Sequence, residues 1–117
     1  MPRSINDFVP ATAIEKVDEH LPITLKLYPA YPNPFNPATT LRFDIPANVA
    51  KKGDVSLAIY SVQGQKVKTL TISAKAGTNR AVWNADSDSG QPVAAGVYYA
   101  VLRAGQARQV VKLLLVK

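Results

Sequence analysis

The stretch Asp54-Val55-Ser56-Leu57-Ala58-Ile59-Tyr60-Ser61-Val62-Gln63-Gly64-Gln65-Lys66-Val67-Lys68-Thr69-Leu70-Thr71-Ile72 decides the fold. Val55, Leu57 and Ile59 fall at every second position, with Ser56, Ala58 and Tyr60 between them. A period of two puts alternate side chains on opposite faces, so Asp54 to Tyr60 reads as a half-buried strand. Ser61 to Gln65 carries turn residues, and Gly64 suits the positive φ that a tight hairpin turn demands. Lys66 to Ile72 then returns antiparallel. Its apolar positions, Val67, Leu70 and Ile72, break phase once, which predicts a β-bulge.

Outward from this hairpin the same period recurs. Ile23, Leu25 and Leu27 alternate with Thr24, Lys26 and Tyr28. Leu41, Phe43 and Ile45 alternate with Thr40, Arg42 and Asp44, and Pro46 ends that run because proline cannot donate to a sheet ladder. Ala47 to Gly53 reads as a polar loop. Asn79 to Asn84 is a further strand with Ala81 and Trp83 on one face, and Trp83, the only tryptophan, is expected in the core. Val97 to Arg103 and Arg108 to Val116 are apolar on both faces, joined by the tight turn Ala104-Gly105-Gln106. One of Tyr98 and Tyr99 must point inward. In the last strand, Val111, Leu113 and Leu115 lie opposite Val110, Leu114 and Val116. A terminal strand reads as a free edge, open to a second copy or another partner.

About seven short strands with turns near every ten residues indicate an all-β fold, an immunoglobulin-like antiparallel β-sandwich over residues 22–117. The Cys–Trp–Cys pattern of antibody domains is absent, since the chain has no cysteine. Residues 1–21 mix charges, small residues and two prolines and read as an irregular linker from an upstream parent protein. Ile14, Val17 and Leu21 hold a helical period too short to persist alone. The opening Met1-Pro2-Arg3-Ser4 lacks the apolar stretch of a signal peptide.

Linker and sandwich meet at Tyr31-Pro32-Asn33-Pro34-Phe35-Asn36-Pro37-Ala38-Thr39-Thr40, which holds three of the nine prolines. Each proline fixes its own φ and restricts the residue before it, so the segment is a stiff elbow. Asn33 and Asn36 are suited to bond nearby backbone. Phe35, the large apolar residue among the prolines, is expected to plug the edge of the core.

Composition narrows the function. The net charge is +6, split into about −2 over residues 1–22 and +8 over residues 23–117. No five-residue window is a basic cluster, so the charge reads as a solvated β-surface. Binding of single-stranded nucleic acid needs stacking aromatics among the basic residues, and Tyr98 and Tyr99 alone offer little, so no nucleic-acid partner is expected. No apolar run approaches the ~20 residues of a membrane-spanning helix. With no cysteine, and with its single histidine, His20, in the linker, the sandwich has no means to build a Ser–His–acid or Cys–His centre. Asp86 and Asp88 sit in a turn without a pocket to raise a carboxyl pKa, and no Gly-rich phosphate loop follows a strand. The domain therefore reads as non-catalytic. The one metal candidate is Asn84, Asp86 and Asp88, which alternate as hard-oxygen calcium ligands do. Gly90 lies one position too late for a calcium loop and no bidentate Glu follows, so a plain turn without cofactor is the expectation.

Several of these segments form an ordered set. Leu27-Tyr28-Pro29, Tyr31-Pro32-Asn33-Pro34-Phe35-Asn36-Pro37-Ala38-Thr39-Thr40-Leu41-Arg42-Phe43 and Val55 to Gly64 come first. Gly77, Trp83-Asn84, Gly90-Gln91-Pro92-Val93, Ala95-Gly96-Val97-Tyr98-Tyr99 and Val111 to Lys117 follow. Together they resemble the type-A C-terminal sorting domains of the type IX secretion system of Bacteroidota, from about residue 22 to the end. A related Ig-like domain of the flagellar hook-capping protein shares the later motifs, and the proline elbow favours the sorting domain.

The resemblance implies a domain that takes an upstream cargo from the periplasm through the outer-membrane translocon. A sortase-like protease then removes it, in the linker before Leu25, and the cargo stays at the cell surface or is released. The recognition residues carried over are Pro32, Asn33, Pro34, Phe35, Gly96, Tyr98, Lys112, Leu113, Leu115 and Lys117. Ala100 departs from the pattern, standing where an aromatic is common. The implied partners are the translocon, the protease and the cargo in the same chain, with a homodimer through the C-terminal edge strand as a further option. Two alternatives remain open. One is an accessory Ig-like module of a secreted glycoside hydrolase, as spacer or carbohydrate binder. The other is a hook-cap-like structural domain that self-associates into rings.

Overall fold

A computed structural model describes residues 24–117. The linker assigned to residues 1–21, with His20, and the inward position assigned to Ile23 lie outside the described residues. Seven strands and one short helix follow in the order β1 (Lys26–Leu27), β2 (Thr39–Ile45), α1 (Ala47–Lys52), β3 (Val55–Ser61), β4 (Lys66–Leu70), β5 (Gly77–Trp83), β6 (Gly96–Ala104) and β7 (Ala107–Leu115). They make two antiparallel sheets, one ordered β1-β2-β5 and the other β4-β3-β6-β7. This is the all-β sandwich that the alternation predicts.

The core lies between the sheets and is built from the inward set of each strand. Leu41, Phe43 and Ile45 of β2, Leu57 and Ile59 of β3, Trp83 of β5, Leu102 of β6 and Leu113 of β7 are all fully buried. Burying a side chain of this size contributes roughly 1.5–3 kcal/mol, so the inward faces are the main source of cohesion. The hairpin that fixes the fold closes through Gly64 at φ 87°. Its ladder pairs Ile59 with Lys68 and Tyr60 with Lys66, leaving Val67 as the extra residue of the predicted bulge.

Three expectations need correction. The first strand is only two residues long: Leu27 is buried and Leu25 half-buried, because the elbow soon takes over the role of pairing with β2. Ala47 to Gly53 is not a loop but the six-residue helix α1, which ends on Gly53 in the left-handed region at φ 70°. Lys51 and Lys52 in its last turn complement the helix dipole. Third, the terminal strand β7 is not a free edge along its C-terminal half, as the next subsection describes.

Candidate functional site

The elbow docks along the outer edge of β7. The Asn33 side chain faces that edge as a peptide unit would: its Nδ2 donates to the Lys112 carbonyl at 2.9 Å, and its Oδ1 accepts from the Leu114 amide at 2.9 Å. Two residues on, the main chain takes over. Phe35 N–H donates to the Leu114 carbonyl at 2.9 Å, and Val116 N–H donates to the Phe35 carbonyl at 3.0 Å. Phe35 thus makes a parallel bridge to Leu115. At its other end the elbow pairs with β2 of the opposite sheet, through an antiparallel bridge between Tyr31 and Thr40. The buried Thr39 hydroxyl donates to the Pro32 carbonyl at 2.6 Å. The Tyr31–Pro32, Asn33–Pro34 and Asn36–Pro37 peptides are cis. A segment only a few residues long therefore ties both sheets together. From the Lys112 carbonyl to the Val116 N–H, the backbone groups that face away from β6 are already paired, so this end of β7 is not available for addition of a further strand.

Phe35 is the plug the sequence predicts, 2% exposed. Its ring packs on Trp83 at 5.6 Å, and Trp83 meets Tyr98 edge-on at 5.2 Å between centroids. Aromatic pairs at these distances prefer such tilted and edge-to-face arrangements, each worth about 0.5–1.5 kcal/mol beyond burial. The polar tips are satisfied: Trp83 Nε1 donates to the Asp86 carbonyl at 2.8 Å and Tyr98 Oη donates to the Ala94 carbonyl at 2.6 Å. Burial raises the Tyr98 pKa above its ordinary value. Gly96 opens β6 at φ 145° and pairs with Leu115.

The structure thus brings the carried-over residues into one cluster, in two roles. Phe35, Tyr98, Leu113 and Leu115 are buried and hold the cluster together, and Gly96 is half-buried. Pro32, Asn33, Pro34, Lys112 and Lys117 face solvent. Lys117 Nζ donates to the Val93 carbonyl at 2.7 Å, fastening the last residue to the loop before β6. Ala100 is fully buried and belongs to the core, not to the strand's surface. Trp83 joins the cluster although the sequence marks it only as a core anchor. Nothing in the local pattern links a residue of β5 to the elbow.

The turn from Asn84 to Gln91 guards the opposite edge of the same sheet. Lys68 Nζ forms an ion pair with Asp86 at 3.1 Å. Asp88 N–H donates to the Val67 carbonyl, and the Asp88 carboxylate accepts from Thr69 N–H, both at 2.9 Å. The turn therefore extends the β4 edge at the bulge. Asn84 is exposed, and among the described residues no group of three His, Cys, Asp or Glu side chains gathers in one place.

On the outer face of the β1-β2-β5 sheet, Arg42 stands directly opposite Arg80 and stacks at 4.1 Å over Tyr28. Tyr28 donates its hydroxyl to Asp44, which also accepts from the Thr78 hydroxyl at 2.8 Å. The bond to Asp44 is the main cause that raises the Tyr28 pKa; burial and the Asp44 charge add to it, and Arg42 opposes. A groove of about 530 Å³ runs here, lined by Tyr28, Pro29, Tyr31, Thr40, Arg42 and Arg80.

Two solved structures share the fold. One is dimeric latent PorU from Porphyromonas gingivalis, at TM-score 0.54 and 22% identity over 80% of this chain. The other is PorZ, a surface component of the type-IX secretion system of the same organism, at TM-score 0.53 and 18% identity over 92% of this chain. The chain spans 9% and 13% of their respective lengths. No curated protein matches the chain. The secretion system C-terminal sorting domain matches over residues 29–117, from just before the elbow through the clasped strand, and the chain belongs to that family.

Proposed function

We propose that this domain is the export signal of a longer protein. It carries an upstream cargo from the periplasm through the outer-membrane type IX machinery and is then cut off by a sortase-like protease in the linker before Leu25. The cargo ends at the cell surface or in the medium. The domain does no chemistry of its own. The observation that carries the reading is the family match over residues 29–117, in which the proline elbow and the C-terminal strand make one clasped unit. A preformed rigid unit suits recognition, because little ordering entropy is lost on binding.

The test fuses the full chain behind a reporter with its own signal peptide, in a host that has the secretion machinery. Reporter on the surface or in the medium is expected, with a new C-terminus upstream of Leu25. Reporter retained in the periplasm overturns the proposal.

The groove beside Tyr31, which is 81% exposed, favours a second reading, a carbohydrate-binding module. Affinity electrophoresis in glycan-containing gels decides between the two: retardation supports the module, and free migration supports a signal alone.

A further inference from the structure

We infer that the outer face of the β4-β3-β6-β7 sheet docks a protein surface that is apolar at its centre and acidic at its rim. The inference rests on the export reading and names the chemistry of the partner. The register sets the face out in three rows. Lys66, Tyr60, Tyr99 and Lys112 form one row across all four strands. Thr69, Ala58, Val101 and Val110 form the next, and Ser56, Arg103 and Arg108 the third. A middle row that is apolar from Ala58 to Val110, with the Asp88 carboxylate at its Thr69 end, thus lies between two rows that carry cations.

None of the four strands contains a carboxylate. Arg103 and Arg108 stand directly opposite one another, although like charges in that position destabilise a sheet. An acidic partner relieves that repulsion. The middle of the face is recessed, with Ala58 and Val101 only 8% and 9% exposed. The hollow holds about 360 Å³, lined by Tyr60, Val62, Tyr99, Val101, Arg103 and Val110 among others. Val62 at 60% and Val110 at 49% exposure stand at its sides. Tyrosine and arginine around an apolar centre are the composition of interface hot spots.

A recess takes a protruding side chain better than a flat bilayer, which argues for a protein and not a membrane. A second copy fits poorly, because a two-fold contact would set cationic rows against each other. The opposite face of the sandwich differs: there Asp44 lies among Lys26, Arg42 and Arg80.

The test uses the full chain on the exported reporter. Arg103→Glu with Arg108→Glu should lower export by about tenfold or more, as expected for reversed interface charges. Lys51→Glu with Lys75→Glu, both exposed and away from this sheet, should leave export within about twofold. Circular dichroism confirms that both variants fold. A photo-crosslinking amino acid at Val110 should trap an outer-membrane protein, and one at Val82 should not. That crosslink should vanish in the Arg103→Glu, Arg108→Glu background. Equal effects of the two double variants, or normal export of the first, overturn the inference. So does a Val110 crosslink that survives charge reversal, co-sedimentation of the chain with phosphatidylglycerol vesicles through Arg103 and Arg108, or dimerisation through this face in light scattering. Failure of the unmodified fusion to leave the periplasm instead overturns the export reading itself.

Discussion

Asn33→Ala removes the side chain that pairs with β7 while leaving every buried apolar contact in place. Two hydrogen bonds of 2.9 Å are lost, one to the Lys112 carbonyl and one from the Leu114 amide. A bond of this kind contributes about 0.5–1.5 kcal/mol net, and these two lie at the surface where water replaces the lost partner. The expected cost is about 1–2 kcal/mol, which for a domain of this size lowers Tm by about 4–15 °C. Asn33→Asp sharpens the experiment. At neutral pH the new carboxylate still accepts from Leu114 N–H but has no proton to offer the Lys112 carbonyl, so it is no more stable than the alanine variant.

Below about pH 4 the new carboxyl is protonated and donates to that carbonyl. The bond raises its pKa in the folded state above the unfolded value. Its stabilisation is therefore full below the unfolded pKa and is lost as pH rises through the folded one. Thermal unfolding followed by circular dichroism between about pH 3 and 7 reads the effect, with the gap to the parent chain narrowing as pH falls. Amide exchange at Leu114 gives a local readout, and its protection should fall in the alanine variant. If Tm and Leu114 protection both match the parent, the carboxamide does not act as a peptide mimic and the clasp rests on Phe35 alone.

Phe35→Ala should cost about 3–5 kcal/mol in denaturant unfolding, because a fully buried ring against Trp83 leaves a cavity; a cost below about 1 kcal/mol would show that the elbow does not plug the core. Gly96→Ala should destabilise by about 1–3 kcal/mol from backbone strain alone, since an added Cβ there meets nothing within 4 Å; a neutral result would show that φ relaxes freely. The raised pKa of Tyr98 makes stability full below the unfolded tyrosine value of about 10 and lost as pH rises through the folded value. Tyr98→Phe should flatten that alkaline limb in a thermal scan, and an unchanged limb would assign it to another tyrosine. Calcium at millimolar concentration should leave Tm unchanged, because Asp86 and Asp88 are engaged by Lys68 and Thr69 N–H; a saturable rise would instead place a calcium site in the turn.

Local pattern carried much of this molecule. The period of two in Val55 to Ile59 and Leu41 to Ile45 is enough to name strands and their inward faces, because one face must leave water. The phase break at Val67 located a bulge, and Phe35 among prolines located a plug. The helix α1 escaped because its six residues are too few to show a period, although Gly53 at its end and Lys51 and Lys52 before it are helix-stop signals. The open C-terminal edge was misread for a different reason. An apolar terminal strand is an edge only if nothing returns to it, and Asn33 returns from some eighty positions earlier in the chain.

The strand faces, the turns and the family motifs are legible in the residues alone, because each depends on neighbours a few residues apart. Sheet packing, by contrast, set which motif residues are buried and which face solvent. It also set Phe35, Trp83 and Tyr98 in one stack, and brought Lys66, Arg103, Arg108 and Lys112 from three strands to one face. Those facts follow from sheet order and register, which the entropy of closing long loops and the fit of the whole core select together.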